Sequence, residues 1–298
     1  MTKFSAALEA IFLMLIGLVS FSAMNIVIRI LSETMPPMQM VFLRNVWSLL
    51  IVVTWGAILQ RRLPHFPTTR LRGHFWRATI GTVAMELWFY AVTLMPLDMA
   101  TALSFSTPIF STIFAIIFLR ERAGIRRWSA ILIGFIGMLL ILRPGSGDVG
   151  WQAMFVIGAS IMMAMAAIMV KSLTRTEPPE TIVFYMALFM IPWSLGPALP
   201  HWHAFTAHQL WLAFWVAFFS TFAHLLMARA YIRADMVMLM PFDFTRLIFT
   251  AIMAYALFGE TLDNYTIAGS LIIVASSVYI AHREARAKQL ITIDEVEL

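Results

Sequence analysis

The sequence predicts an all-α, polytopic membrane protein: ten transmembrane helices arranged as two inverted five-helix repeats. Three observations predict it. Hydrophobic residues make up 61% of the 298-residue chain and charged residues 12%, well short of the ~25% charged share of a soluble domain, and the mean hydropathy is +0.83. The apolar runs lie close to the roughly 20 residues that a helix rising about 1.5 Å per residue needs to cross the hydrocarbon. Finally, the basic residues gather in short clusters between those runs, on alternate sides.

Taken in order, the predicted spans are 10–31, 38–59, 75–95, 100–119 and 128–142, then 151–170, 181–196, 210–230, 236–258 and 265–281. The first follows Lys3 and is longer than the apolar core of a signal peptide, so it reads as an uncleaved helix. Met35-Pro36-Pro37 separates it from the second, which carries Arg44-Asn45 about two turns inside. The 64–67 stretch, with a proline at each end, precedes the third, where Glu86 is followed closely by Trp88 and Tyr90. In the fourth, the hydroxyls of Ser104, Ser106, Thr107 and Ser111 surround Pro108. Pro144-Gly145 closes the fifth, and the sixth is rich in Met, a gap-filling residue in membrane cores. Prolines bound the seventh, His224 lies inside the eighth, and Arg283, Arg286 and Lys288 follow the tenth.

The ninth span is unusual, because Asp243 and Arg246 lie within it, three residues apart and hence on one helical face. A charge at the bilayer centre costs at least ~2.5 to 3.5 kcal/mol on insertion scales, so such residues face a cavity or a partner. Pro241 removes a backbone donor just before them and is expected to open the helix locally. This segment reads as one wall of a translocation cavity; the alternative is that the two charges only neutralise each other inside a packed bundle.

If the helices alternate, sixteen of the 21 Lys and Arg fall on the side of the N-terminus and two, Arg29 and Arg143, on the other. The positive-inside rule then places both termini in the cytoplasm; the expected location is a bacterial inner membrane. The pI near 9.9 therefore reports topology, and no nucleic-acid partner is expected. The absence of Cys excludes disulfides and thiolate metal sites. No cofactor, metal motif, phosphate-binding loop or catalytic serine motif is present.

A duplication links the halves. Phe118-Leu119-Arg120-Glu121 matches Leu257-Phe258-Gly259-Glu260 at an offset of 139, and Ala130 and Gly137 meet Gly269 and Ser276 at the same offset. Five helices per copy is an odd number, so the second copy must be inverted. The expected repeats are residues 1–145 and 146–282, with a cytoplasmic tail at 283–298.

The run Ala100-Thr-Ala-Leu-Ser-Phe-Ser-Thr-Pro108 ending at Leu119-Arg-Glu121, with its counterpart ending Leu257-Phe-Gly-Glu260, resembles the drug/metabolite transporter superfamily in its ten-helix form with two EamA domains. The likeness extends to about Ala281; the second repeat departs from it by having Arg246-Leu247 where the first has Thr107-Pro108. The run Pro241-Phe-Asp-Phe-Thr-Arg-Leu247 is similar to a bacterial subgroup that includes proposed riboflavin and S-adenosylmethionine carriers. The resemblance implies a basket of helices whose cavity is lined by the first, third, fourth, sixth, eighth and ninth spans.

The expected substrate-binding residues are Asn25, Arg44, Glu86, Trp88, Tyr90, Ser104, Thr107, His224, Asp243 and Arg246. Glu86 reads either as a proton carrier or as a structural carboxylate paired with Arg44 or Arg246; His224 reads as a titrating switch or a hydrogen-bonding helix contact. Arg44 would favour anions in an outer vestibule, and the hydroxyls either meet a ligand or bond to their own backbone. The expected function is a secondary transporter for an amino acid, vitamin or nucleoside-like metabolite, working by alternating access with protons as coupling ion, the repeats rocking against each other. Its partners are the lipid bilayer, a small-molecule substrate and a second copy in a homodimer. The alternatives are a flippase for a lipid-linked precursor and an intramembrane enzyme or sensor using Glu86 and His224.

Overall fold

A computed structural model of the chain describes residues 3–60, 64–94, 103–122, 124–142, 150–259, 264–265, 267–276 and 278–279. Every regular element among the described residues is helical. The helices are α1 (Lys3–Ser32), α2 (Pro37–Gln60), α3 (Leu71–Leu94), α4 (Thr107–Leu119), α5 (Ile125–Leu142), α6 (Ala153–Leu173), α7 (Pro179–Ala198), α8 (Ala207–Arg233), α9 (Met236–Asp243), α10 (Thr245–Phe258) and α11 (Ile267–Ser276), with a 3-10 turn at Leu199–His201. Six stretches are long and apolar enough to cross a membrane on length and composition: those of α1, α2, α6, α7, α8 and the combined α9 and α10. Large apolar side chains, among them Phe12, Ile58, Met154, Leu257 and Leu271, stand exposed on the outer faces. That pattern suits lipid as solvent. The protein is a multi-pass membrane protein.

The packing reveals the inverted duplication. The main interfaces are α1 with α8 and α3 with α6; α2 with α8 and α3 with α7; α1 with α10 and α4 with α6; and α2 with α7 and α4 with α9. Exchanging the first five spans for the last five maps each of the first three pairs onto its partner and the last two onto themselves. Between α5 and α11, a Cβ at Gly137 would stand 2.9 Å from the Gly269 carbonyl. The small residues of those spans therefore serve close backbone approach, where packing, not water, drives helix association.

The strongest interfaces run between the repeats, not within them. Rocking of the repeats as two bodies, the expected motion, would work against the contacts of α1 with α8 and of α3 with α6. The packing units are instead interlaced, each drawing helices from both halves.

Helix ends repeat as well. Arg120 caps α4 in the left-handed region at φ 57°, and Gly259 caps α10 there at φ 67°; the first donates its backbone N–H five residues back, to Ala115 O, and the second four residues back, to Tyr255 O. The turn at Arg120 aims Glu121 at α9, where its Oε2 accepts the backbone N–H of Val237 at 2.9 Å. A carboxylate at a helix N-terminus satisfies an orphan donor and the helix dipole together.

Polar ties close the two ends of the bundle. At one end the Thr206–Gln209 capping box starts α8, and Gln209 Nε2 also donates to the Thr34 carbonyl at 2.7 Å, while Gln39 Nε2 donates to the His203 carbonyl at 3.2 Å. At the other end, Glu177 accepts from Thr68 Oγ1 and from His74 Nε2, both at 2.5 Å. His74 Nδ1 is buried with no partner, so the proton sits on Nε2 and the ring is neutral. Burial alone would raise the Glu177 carboxyl, but the Thr68 and His74 hydrogen bonds outweigh it and hold the group below the usual carboxylate range. Nearby, Arg70 donates to the carbonyl and hydroxyl of Ser172, Arg229 pairs with Glu180 at 2.5 Å and Arg233 with Glu9 at 2.8 Å.

Candidate functional site

Two broken helices meet at the centre of the bundle. In the ninth span the break separates α9 from α10 at Phe244, three residues beyond Pro241. Pro241 cannot donate a backbone bond, and the loosened carbonyl of Phe242 is taken up by Thr245 Oγ1 at 2.7 Å. In the fourth span a turn at Phe105 and Ser106 precedes α4, and Thr107 Oγ1 donates to the Ser104 carbonyl, also at 2.7 Å. Thr107 and Thr245 lie 138 residues apart, one short of the 139-residue repeat offset, as do Glu86 and His224. Phe244 is fully buried, stacks on Phe105 at 6.1 Å between centroids, and lies where a Cβ on Gly134 would come within 2.8 Å of its ring.

The charges sit at this junction. Arg246 Nη2 is 3.9 Å from Asp243 Oδ2, and the Arg246 guanidinium lies over the Phe105 ring at 5.2 Å. Both side chains keep some exposure, 32% for Arg246 and 17% for Asp243, so the pair is loose and has open space beside it. Ser22 of α1 fixes the neighbouring backbone: its hydroxyl donates to the Arg246 carbonyl at 3.1 Å and receives one from Thr250 at 3.0 Å.

The other expected residues divide. His224 Nδ1 donates to the Ser220 carbonyl at 2.7 Å and its ring meets Phe21 edge-on at 5.1 Å, the helix-contact arrangement. Its Nε2 is left as the acceptor. Arg44 on α2 is half-buried, with its Nε buried and unbonded. Glu86 is half-buried beside a narrow cleft formed with Met38, Val41, Thr82, Met85, Ser194 and Pro197. No cation lies within ion-pair distance of it among the described residues. The expected bridges from Glu86 to Arg44 or Arg246 therefore do not form. Arg246 is directed to Asp243 instead. Asn25 is exposed on α1, and Tyr90 is exposed with its ring edge-on to Phe155 at 4.9 Å. Trp88 packs into a small apolar cluster with Ala91, Leu103, Phe155 and Val156. Ser104 contributes its backbone carbonyl, which also receives Ser160 Oγ at 3.4 Å.

A cavity of about 1110 Å³ opens at the end that carries Arg120, Arg122, Arg126, Arg127 and Arg175. Tyr231 and Lys171 form part of its wall, and Lys171 Nζ donates to the carbonyls of Tyr231 and Ala234. Asp243 lies within electrostatic reach of the Tyr231 hydroxyl. The cavity thus approaches the junction from one side, and the cleft of about 10 Å³ beside Glu86 lies toward the opposite end.

Discontinuous membrane helices meeting at a repeat interface are the architecture in which secondary transporters build their sites. Comparison with known proteins agrees: the sequence matches the EamA-like transporter family twice, over residues 8–143 and 150–281. This chain belongs to the EamA-like transporter family. Over 273 residues it is 27% identical to the S-adenosylmethionine uptake transporter of Rickettsia bellii, covering 92% of this chain and 93% of that one. Over 221 residues it is 32% identical to the riboflavin transporter of Vibrio cholerae, covering 74% of each. A pseudopaline exporter of Pseudomonas aeruginosa is 25% identical over 269 residues, 87% of this chain and 91% of the exporter. A solved crystal structure shares the fold at a TM-score of 0.76 and 14% identity, covering 93% of this chain and 98% of that one. The family and these relatives are transporters, so this EamA protein is not an enzyme, and the acid–base alternative for Glu86 and His224 falls.

The structure of this EamA protein also shows a buried cation that the sequence did not single out. Arg77 of α3 is buried at 7% exposure, with an unbonded Nε and only the Met190 sulfur near its Nη1, at 3.9 Å. It reads from sequence as a residue at the edge of a span, yet α3 begins at Leu71 and carries it about two turns inside. The signal was present in the run Arg70 to Arg77, where Gly73 and His74 can continue a helix that hydropathy alone ends at Phe75.

Proposed function

We propose that this chain is a secondary transporter that moves a small organic metabolite, of the amino acid, vitamin or nucleoside-like kind, across the bacterial inner membrane by alternating access. The observation that carries this reading is the meeting of two broken helices, Phe105 against Phe244, with Arg246 and Asp243 beside open space at the junction. Irregular backbone at membrane depth is tolerated where it lines protein or a cavity, and it supplies free dipoles and side chains to a ligand. The named relatives support the substrate class, since they handle S-adenosylmethionine and riboflavin. The substrate site is proposed around Asp243, Arg246, Thr107 and Ser104, with Arg44 and His224 toward α2 and α8. Both termini face the cytoplasm in this reading, and the basic cavity is then an inward opening. The repeats occupy residues 1–145 and 146–282, followed by the tail at 283–298. Protons are the proposed coupling ion, with Glu86 as carrier; the lack of a cation partner supports this, because nothing pins the carboxylate in its ionised form.

Counterflow in proteoliposomes tests the reading, with labelled S-adenosylmethionine and labelled riboflavin as probes. Chemically unchanged probe should exchange through the wild type, and Arg246→Ala should abolish exchange while the protein still folds. Glu86→Gln should keep exchange and lose accumulation driven by an imposed proton gradient. Normal exchange by Arg246→Ala would remove the junction as the site.

A further inference from the structure

Arg44 and Arg77 approach the middle of the bundle from opposite ends. Arg44 lies seven residues past the start of α2 at Pro37, and Arg77 six past the start of α3 at Leu71. Each side chain thus enters about two turns deep. Their helices meet across α7: Arg77 Nη1 lies 3.9 Å from the Met190 sulfur, Ser194 Oγ donates to the Met190 carbonyl at 2.8 Å, and Asn45, next to Arg44, donates to Ser194 Oγ at 3.3 Å, which brings both guanidinium groups and the His224 ring within electrostatic reach of one another. Neither has a carboxylate within ion-pair distance, and the Nε of each is buried without a hydrogen-bond partner. The carboxylates of the membrane interior are spent elsewhere: Asp243 pairs with Arg246, and Glu86 faces its own cleft. Among the described residues the interior therefore holds two cations that repel one another, each with a buried, unbonded Nε.

A buried charge with unused donors is costly unless something compensates it. Packing does not explain the pair, because an apolar side chain of the same length would fill the space without that cost. The planar fork of a guanidinium is shaped for carboxylate or phosphate oxygens, and two forks together provide donors for one oxyanion. Resting on the transport reading, we infer that Arg44 and Arg77 form the subsite for an oxyanion group, carboxylate or phosphate, carried by the substrate. The substrate is then an organic anion, or a zwitterion whose anionic end docks here and whose remainder reaches the Asp243–Arg246 junction.

Matched probes test this on the purified full chain in lipid nanodiscs. One pair is S-adenosylmethionine and its decarboxylated analogue; the other is riboflavin 5′-phosphate and riboflavin. The anionic member of one pair should bind about tenfold or more tightly than its neutral-end twin, and which pair responds separates a carboxylate from a phosphate. Arg44→Met and Arg77→Met should each erase that preference while leaving the ligand-free melting temperature unchanged or higher. Twins that bind equally in both pairs overturn the inference without any variant being needed. So does a preference that survives both substitutions, or a lowered ligand-free melting temperature in both, which marks the arginines as packing residues. Counterflow with the same probes separates this inference from the one beneath it. Exchange without anion preference keeps the transport reading and removes the oxyanion subsite. Arginine-dependent binding without exchange does the reverse, and neither binding nor exchange removes both.

Discussion

Thr107 and Thr245 make the same hydrogen bond in opposite halves of the molecule: each hydroxyl donates to the carbonyl three residues back, at 2.7 Å, where its helix is interrupted. The sequences around them differ, with Pro108 following one threonine and Arg246 the other. The duplication has therefore kept the backbone device and changed the chemistry presented beside it. Replacing Thr245 by Val keeps the volume and takes the hydroxyl donor from the Phe242 carbonyl, at a cost of about 1 to 3 kcal/mol; Thr107→Val costs less, because the Ser104 carbonyl keeps Ser160 Oγ at 3.4 Å. The expected result is a lower melting temperature in both single variants and slower exchange in both. An unchanged melting temperature in Thr245→Val would show that the break needs no hydroxyl.

Gly134 exists to receive Phe244. An added Cβ would meet the ring at 2.8 Å, and the ring is fully buried with Phe105 on its other side. Gly134→Ala should overpack the site by about 1 to 3 kcal/mol, and the displaced ring should disturb Arg246 through Phe105. Tryptophan-free aromatic contacts are hard to follow optically, so the measure is exchange rate beside melting temperature. Exchange should fall more than stability predicts, and a variant with normal exchange would separate Phe244 from the transport path.

The cap at Arg120 stores strain that its repeat mate avoids. A non-glycine residue in the left-handed region costs roughly 1 to 2 kcal/mol, and Gly259 occupies the same conformation without that cost. Arg120→Gly should raise stability by a few tenths to about 1 kcal/mol. Glu121→Ala should act oppositely, losing about 0.5 to 2 kcal/mol with the cap on Val237. Hydrogen exchange over 236–243 should quicken in Glu121→Ala and stay slow in Arg120→Gly.

Acid should loosen the end of the bundle where Glu177 ties the 64–70 segment and α3 to the turn before α7. Its folded pKa is held below the ordinary carboxylate value, so the ionised group contributes stability that is complete above the unfolded value near ~4.3 and is lost as pH falls through the folded one. The wild type should melt above Glu177→Gln at neutral pH by a margin that stays level on mild acidification. That margin should shrink below about pH 4.3. A margin that widens on acidification would reverse the assignment.

The spans themselves were legible because apolar runs of membrane length leave little choice of structure. So was the inverted pairing, through Glu121 and Glu260 and the small residues of the fifth and tenth spans. Glu260 lies outside the described residues, so the structure shows only one of those two carboxylates at work. The break in the ninth span was expected at Pro241 and falls three residues later, at Phe244, where Thr245 Oγ1 donates to the Phe242 carbonyl. Partner choice was not legible. The sequence left Glu86 free to meet Arg44 or Arg246, and only the crossing of α2, α3 and α10 decides that it meets neither. Arg77 was hidden because hydropathy ends a helix where a charge appears, whereas the Thr68, Arg70 and His74 contacts carry α3 further down.

The interlacing of helices sets the order in which this protein can be made. The first five spans leave the ribosome with α1 and α3 each lacking its main neighbour, since those are α8 and α6. Arg44 and Arg77 must enter the bilayer at that stage with no bundle around them. Insertion therefore precedes assembly, and half a chain has almost nothing to fold onto. A nascent chain cut short before its ninth span lacks the Phe244 that fills the centre and the Val237 amide that Glu121 awaits. Surveillance of unfinished membrane proteins would meet such a fragment as loose single helices with exposed charge, and synthesis to near the C-terminus becomes a condition of survival in the cell.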